Sequence, residues 1–293
     1  SCSIARIIQN IFSKTIKELK ELKQAGDEFK KVLKCELDKG EPLVKARATA
    51  LSETSSGIDA SILNSPNNIL GIEYVKAIIE NDYDLEINSL TRDGDGYNQT
   101  EITKTCPSAL AVRKAIENGE LTEAKNTLPP YVLKDLPSKL PCFDSEIILS
   151  LINKSKDEIS KILDCTEGLE NKIKNAVKTS FTLEQLIANV KTKRYTEARL
   201  KRIFFSAMLG ITKQFTLDCL NSDLYLKVLA VNKQKQGVLG ELSTAKYPLI
   251  TRKSDVSKLS GVAYECFMKD VLANDIYSLV TKTKTNEFEM KLV

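Results

Sequence analysis

Apolar residues recur every three or four positions along most of this chain, and that period predicts helices. Ile4, Ile7, Ile8, Ile11, Phe12, Ile16 and Leu19 predict one helix over 3–24. A second is predicted over 27–37, stopping at Lys39-Gly40, and a third over 42–53, opened by Pro42. After the loop Thr54-Ser55-Ser56-Gly57 comes PNNILGIEYVKAI (66–78), read as a turn and a helix from Asn68 to Asn81. Asparagine is favoured ahead of a helix because its side-chain oxygen accepts an orphan backbone N–H.

The pattern then changes. Residues 85–90 (LEINSL) alternate and predict a short strand, which empties into the Gly/Asp-rich loop 91–98 (TRDGDGYN). A helix follows from Pro107 to Gly119. Helix, strand, loop and helix make half of a doubly wound unit, in which ligands sit where loops meet helix amino ends. Asn67, Asn68, Arg92 and Ser108 all fall at such places.

Pro129-Pro130, Pro137 and Pro141 mark a stiff connector, so the domain boundary is expected within 120–145. Beyond it, helices are predicted over 144–152, 155–165, 167–178, 182–191, 196–211 and 261–281. Residues 224–231 (LYLKVLAV) fit a strand or a buried helix turn. The resulting fold class is α/β plus all-α. An incomplete Rossmann-like domain over 1–130 is followed by a mainly helical domain over 131–293.

Composition narrows the chemistry. The 293 residues include no histidine, which excludes imidazole acid–base catalysis and imidazole metal ligation by these residues. Seven cysteines lie far apart without a CxxC pair, so neither a disulfide framework nor a metal site is expected. Reduced thiols, no secretory signal and no membrane-length apolar run give a cytoplasmic expectation.

Net charge is only +4, but residues 171–213 hold ten Lys/Arg against two acids. A block this basic in a near-neutral chain points to a polyanion. Its centre is KTKRYTEARLKR (191–202). Leu200, Ile203, Phe204, Ala207, Met208 and Ile211 form the packing stripe, which leaves Arg199 and Arg202 off it. Lys191, Lys193 and Arg194 precede the helix, with Tyr195 among them, and Lys172, Lys174 and Lys178 lie one helix earlier. Arginine forks and lysine charges suit phosphates, and a tyrosine ring can stack on a base. A solvated basic face is the alternative reading of the same residues.

Several stretches together resemble the bacterial tRNA(Met) cytidine acetate ligases, a branch of the HIGH-type nucleotidyltransferases. They are PNNILGIEYVKAI (66–78), TRDGDGY (91–97), SALAVRKAIENG (108–119), EGLENKIKNAV (167–177), KTKRYTEARLKRIF (191–204) and YPLIT (247–251). The resemblance implies an ATP-dependent ligase, with ATP accompanied by Mg2+. Acetate would be activated as acetyl-adenylate and passed to N4 of the wobble cytidine of elongator tRNA(Met). It also implies nucleotide contacts at Asn67 or Asn68, Arg92, Ser108 and Arg113, and tRNA held by the helical part. In the family a strand and a loop bearing two histidines come first; these 293 residues lack that motif, which either precedes Ser1 in a longer chain or has been lost in a natural form. The pattern is broken at Leu110, where the family has threonine, at Asp95 in place of a small residue, and at Asn98 in place of histidine. A carboxylate beside a triphosphate is electrostatically unfavourable. Two other functions fit: a catalytically inactive tRNA-binding protein on the same scaffold, and a nucleotidyltransferase acting on a small metabolite.

Overall fold

The computed structural model describes residues 26–41, 46, 49–50, 52–53, 66–87, 99–103, 106–133, 140–192 and 194–293. The chain divides into two compact units, 1–140 and 141–293. The division lies within the proline-rich connector, beyond the expected 130/131.

In the first unit, helix α1 (Gly26–Asp38) ends where Gly40 takes a left-handed φ of 85° and donates its N–H to Leu37 O. The predicted helix over 3–24 lies outside the described residues, as does most of the one over 42–53. Helix α2 (Pro66–Glu80) starts earlier than expected, because proline has a helical φ already and no N–H to lose at a first helical position. Asn67 and Asn68 therefore lie within the first turn and do not precede it as a cap. Ile72 and Val75 turn inward, while Leu70 and Tyr74 stay exposed. The Asn81 side chain closes the far end by donating to Ala77 O.

The expected strand over 85–90 is not formed at 85–87, which are irregular and mostly exposed, and 88–90 lie outside the described residues. A strand needs a partner to satisfy its backbone, and none is found among the described residues of this unit. Its described elements are helices. Helix α3 (Ala109–Glu117) and helix α4 (Leu121–Thr127), the latter not anticipated, pack through Ala115, Ile116 and Ala124.

The second unit follows its predicted helices more closely. They are α5 (Asp144–Asn153), α6 (Lys156–Ser160), α7 (Leu169–Ala176), α8 (Leu183–Val190) and α9 (Glu197–Leu209). Ile147, Leu151, Ile159, Ile173, Leu186, Leu200, Ile203 and Phe204 close one core that excludes solvent fully. Ser155 and Glu158 form a capping box at α6, and Thr182 caps α8. Helix α6 is shorter than the expected 155–165: after Ser160 the chain passes into turns bonded three residues back, Ile162 N donating to Ile159 O and Cys165 N to Ile162 O, and reaches a left-handed Asp164 with φ 69°.

Helix α10 (Lys213–Leu220), capped by Thr212, was not anticipated. The stretch 224–231 is extended: β1 (Leu226–Lys227) and β2 (Ala230–Val231). A short helix α11 (Val238–Leu242), β3 (Leu249–Ile250), the long helix α12 (Gly261–Thr281) and β4 (Lys291–Leu292) complete the unit. β1 pairs with β3 and β2 with β4, both parallel. Ile250, Val256, Leu259, Ala263 and Phe267 form a second core here.

Lysines close three helix ends. Lys174 Nζ donates to Leu151 O, Ile152 O and Lys154 O at the end of α5. Lys172 Nζ donates to Val190 O at the end of α8, and Lys269 Nζ to Leu209 O at the end of α9. The last carbonyls of a helix lack intrahelical donors and carry the negative end of its dipole, so an ammonium there is doubly favourable. Part of the basic block is thus structural. Lys172 and Lys174, which sequence placed behind a polyanion site, are committed to helix ends.

Asp255 is the buried charge of the second core. Its carboxylate accepts from Thr251 N, Thr251 Oγ1, Arg252 N and Lys258 Nζ. Burial pushes its pKa up, but the bonds from Lys258 and Thr251 outweigh that and hold it at about 2.

Two outcomes follow. Lys174→Met leaves the α5 carbonyls without their donor and should lower the stability of this unit by about 1–2 kcal/mol in denaturant titration. A depressed carboxylate stabilises the fold above its unfolded pKa of about 4 and loses that contribution as pH falls through the folded value. Acid titration should therefore show wild type losing about 2 kcal/mol between pH 4 and 2, and Asp255→Asn should lack that step.

Candidate nucleic-acid interface and nucleotide-binding residues

Between α6 and α7 the chain runs through Asp164, Cys165, Thr166, Glu167 and Gly168. Asp164, Glu167 and Gly168 all have left-handed backbones, with φ of 69°, 60° and 78°. For glycine this is free; for the two acids it costs roughly 1–2 kcal/mol each. Groups brought by the start of α9 offset it. The Tyr195 hydroxyl donates to Thr166 O at 2.7 Å and lies 2.9 Å from Thr166 Oγ1. Arg199 Nη2 donates to Asp164 O at 3.0 Å, and its guanidinium stacks 4.7 Å from the Tyr195 ring centroid. Arg202 Nη2 reaches Asp164 Oδ2 at 3.4 Å, and Arg194 pairs with Glu167 at 2.6 Å. The blocks 167–177 and 191–204, separate in sequence, are thus one structure.

Tyr195 corrects an expectation. Its ring is only 6% exposed and its hydroxyl is used within the protein, so it positions the loop and does not offer a stacking face. Arg199 is also half-buried, and its Nε has no hydrogen-bond partner. Cys165 is buried beside them; burial, then the Glu170 charge, pushes its thiol up to about 11, so it stays neutral. Besides the lysines at helix ends, the outward cations of the block are Lys178, Lys191, Arg194, Lys201, Arg202 and Lys213. The side chain of Lys193 lies outside the described residues.

Acids temper this face more than the window 171–213 suggested. Asp164, Glu167 and Glu170 lie just ahead of it, and over 164–213 the excess falls from +8 to +5. Lys201 pairs with Glu197 at 2.7 Å. Solvent-exposed pairs are worth about 0–1 kcal/mol, so Arg194 and Lys201 can exchange their acids for phosphates at small cost. Arg199 cannot leave without freeing a strained loop. Proximity in sequence hid this division of labour; the signal that could have shown it is the run of acids beside Gly168.

The residues expected to meet a nucleotide are less gathered. Ser108 is 1% exposed and caps α3: Oγ accepts from Ala111 N at 2.9 Å and donates to Gln99 O at 2.5 Å. Its only hydroxyl proton is spent, so it cannot also donate to a phosphate. Free N–H groups remain at Ala109 and Leu110, which a first helical turn leaves without intrahelical acceptors. Arg113 is exposed on the same helix, about 140° around the axis from Ser108. Asn67 and Asn68 belong to the first turn of α2, and their side chains, like all of Arg92, lie outside the described residues. Among the described residues no group of three or more Cys, Asp or Glu could hold a metal ion, and no helix is long and apolar enough to cross a membrane.

Comparison with known proteins assigns the fold. Two solved structures of Thermotoga maritima TmcAL superpose on 95% of this chain, the apo form with a TM-score of 0.81 and the form bound with alpha-thio ATP with 0.78. Each is 20% identical, and they share 74% and 73% of their own length with it. The architecture is that of a nucleotidyltransferase. Residues 9–291 match the family model of the HIGH nucleotidyl transferases. The tRNA(Met) cytidine acetate ligase of Caldanaerobacter subterraneus subsp. tengcongensis is 33% identical over 269 residues, which cover 87% of this chain and 65% of that protein. That of Acetivibrio thermocellus is 31% identical over 281 residues, with 89% and 68% covered. The chain belongs to the HIGH nucleotidyl transferase family, on the branch of the tRNA(Met) cytidine acetate ligases. It spans 65% of the length of the Caldanaerobacter relative.

The Tyr195 hydroxyl has a direct test. Tyr195→Phe keeps the ring under Arg199 but removes the bonds to Thr166. Stability should fall by about 1–2 kcal/mol, and amide exchange at 164–168 should quicken more than at α5.

Proposed function

We propose that this chain serves an ATP-dependent acetylation of tRNA cytidine, with nucleotide handled by the first unit and tRNA by the second. The observation that carries it is the cationic rim around the 164–168 loop. Lys191, Arg194, Lys201 and Arg202 stay exposed there on a rigidly held scaffold. Planar guanidinium forks suit phosphate oxygens, and exposed ion pairs yield readily to a polyanion. The acetate ligases among its relatives support tRNA(Met) as that polyanion, and we read it as the elongator form.

In this reading acetate attacks the α-phosphate of ATP, acetyl-adenylate forms and pyrophosphate leaves. The N4 amine of the wobble cytidine then attacks the acetyl carbon, and AMP is released. The free amides of Ala109 and Leu110 and the Arg113 guanidinium fit a phosphate chain, with Asn67, Asn68 and Arg92 as further contacts. Mg2+ would arrive on the phosphates. The ATP analogue in the Thermotoga protein supports the nucleotide. Ser108 acts here as the cap that presents those amides. The 293 residues supply no imidazole to the chemistry.

Residue Leu110 favours a second reading, a tRNA-binding protein without turnover, because it removes a hydroxyl from the helix end meant for phosphates. Binding assays separate the two. Wild type should bind tRNA with steep salt dependence. Lys191→Ala, Arg194→Ala and Arg202→Ala combined should reduce the log–log salt slope by about 2–3. Unchanged affinity and slope would exclude this face. Nucleotide titration that responds to Arg113→Ala favours the ligase; no ATP binding favours the second reading.

A further inference from the structure

The block YPLIT (247–251), quoted above for the family resemblance, lines a cleft of about 600 Å3 in the second unit. It is lined by Ser243 and the run Ala245 to Leu249, together with Thr251, Arg252, Asp255 and Lys258. That volume suits a small organic ligand and exceeds the need of a lone phosphate. The pairing of β3 with β1 fixes one wall, and the Asp255 carboxylate fixes the other through Thr251 and Arg252 N.

The side chains at the mouth are of two kinds. Tyr247 is 39% exposed, and Lys246 Nζ lies 5.3 Å from its ring centroid. Lys246, Arg252 and Lys258 line the same cleft. Lys258 is held by Asp255 Oδ1 at 2.9 Å. Arg252 approaches the same oxygen only through Nε, at 3.9 Å, so its terminal nitrogens point away from that acid and its side chain is 77% exposed. Lys246 is paired with Asp223 at 2.8 Å, both highly exposed, a weak bond that a phosphate can displace. The acid among the lining residues is Asp255, which is saturated with donors, and Asp223 enters only as the partner of Lys246.

We propose that this cleft binds an unstacked nucleotide, its base against the Tyr247 ring and its phosphate on the Arg252 fork, with Lys246 turning from Asp223 to the same phosphate. An exposed aromatic beside cations on a fixed wall is the arrangement that recognises single-stranded nucleic acid. The inference rests on the reading that the second unit contacts RNA, and it adds a second contact area to the 164–168 rim. The nucleotide belongs to an RNA strand or is free; the ring and the fork would serve either.

The test measures binding of a short single-stranded oligoribonucleotide, and separately of CMP, to the full chain. The variants are Tyr247→Ala, Tyr247→Phe and Arg252→Ala, all at exposed positions, with circular dichroism to verify folding. Arg194→Ala/Arg202→Ala is run beside them. Tyr247→Ala should weaken oligonucleotide binding about 5- to 100-fold, as loss of one stacked base does, while Tyr247→Phe retains it and Arg252→Ala flattens the salt dependence. A loss confined to CMP assigns the cleft to a free nucleotide. If neither probe binds, or Tyr247→Ala and Arg252→Ala leave both unchanged, the proposal is overturned. Loss only in Arg194→Ala/Arg202→Ala would overturn the cleft and leave the rim. Loss only in the Tyr247 and Arg252 variants would do the reverse.

Discussion

The bond from the Tyr195 hydroxyl to the carbonyl of Thr166, with Arg199 stacked on the Tyr195 ring, is what the loop–helix junction of the second unit depends on. It ties the amino end of α9 to a loop that departs from helical geometry at three of five residues. Left-handed Asp164 and Glu167 persist only because their neighbours over-determine them. The consequence is positional. Asp164 and Glu167 hold Arg202 and Arg194 at the surface by loose, exposed ion pairs, while Arg199 is held tightly beneath. One guanidinium is structural so that two others can be presented.

A similar economy runs through the rest of the unit. Lysines that add to the basic block also terminate helices, with Lys174 serving three carbonyls at once. Charge that looks like a polyanion footprint in sequence is thus split between the fold and the solvent. Only the solvent share bears on binding. That share is concentrated on one loop–helix junction, which is why the junction and not the whole block carries the functional proposal.

Much of the helical unit was legible in sequence because its stripes are regular. The set Leu200, Ile203, Phe204 and Ala207 both predicts α9 and fills its core. The position of the core residues did not reveal which polar groups face each other. Tyr195 reads as a surface aromatic among cations, yet its partner Thr166 lies 29 residues away and its ring is buried. Ser108 reads as a phosphate ligand and is a cap, because a buried hydroxyl with two partners has no donor left. The strand expected at 85–90 shows the limit of alternation, which specifies a strand only where a neighbour completes the ladder. Arg92 and the loop around it lie outside the described residues, so that part of the nucleotide reading rests on family pattern.

The claim that tRNA lies against the loop–helix junction can be tested by hydrogen exchange, read by mass spectrometry on the full chain with and without tRNA(Met). Slower exchange in 164–168 and 194–202, with α5 and α8 unchanged, is the expected result. Unaltered exchange at both segments while tRNA is bound would contradict it.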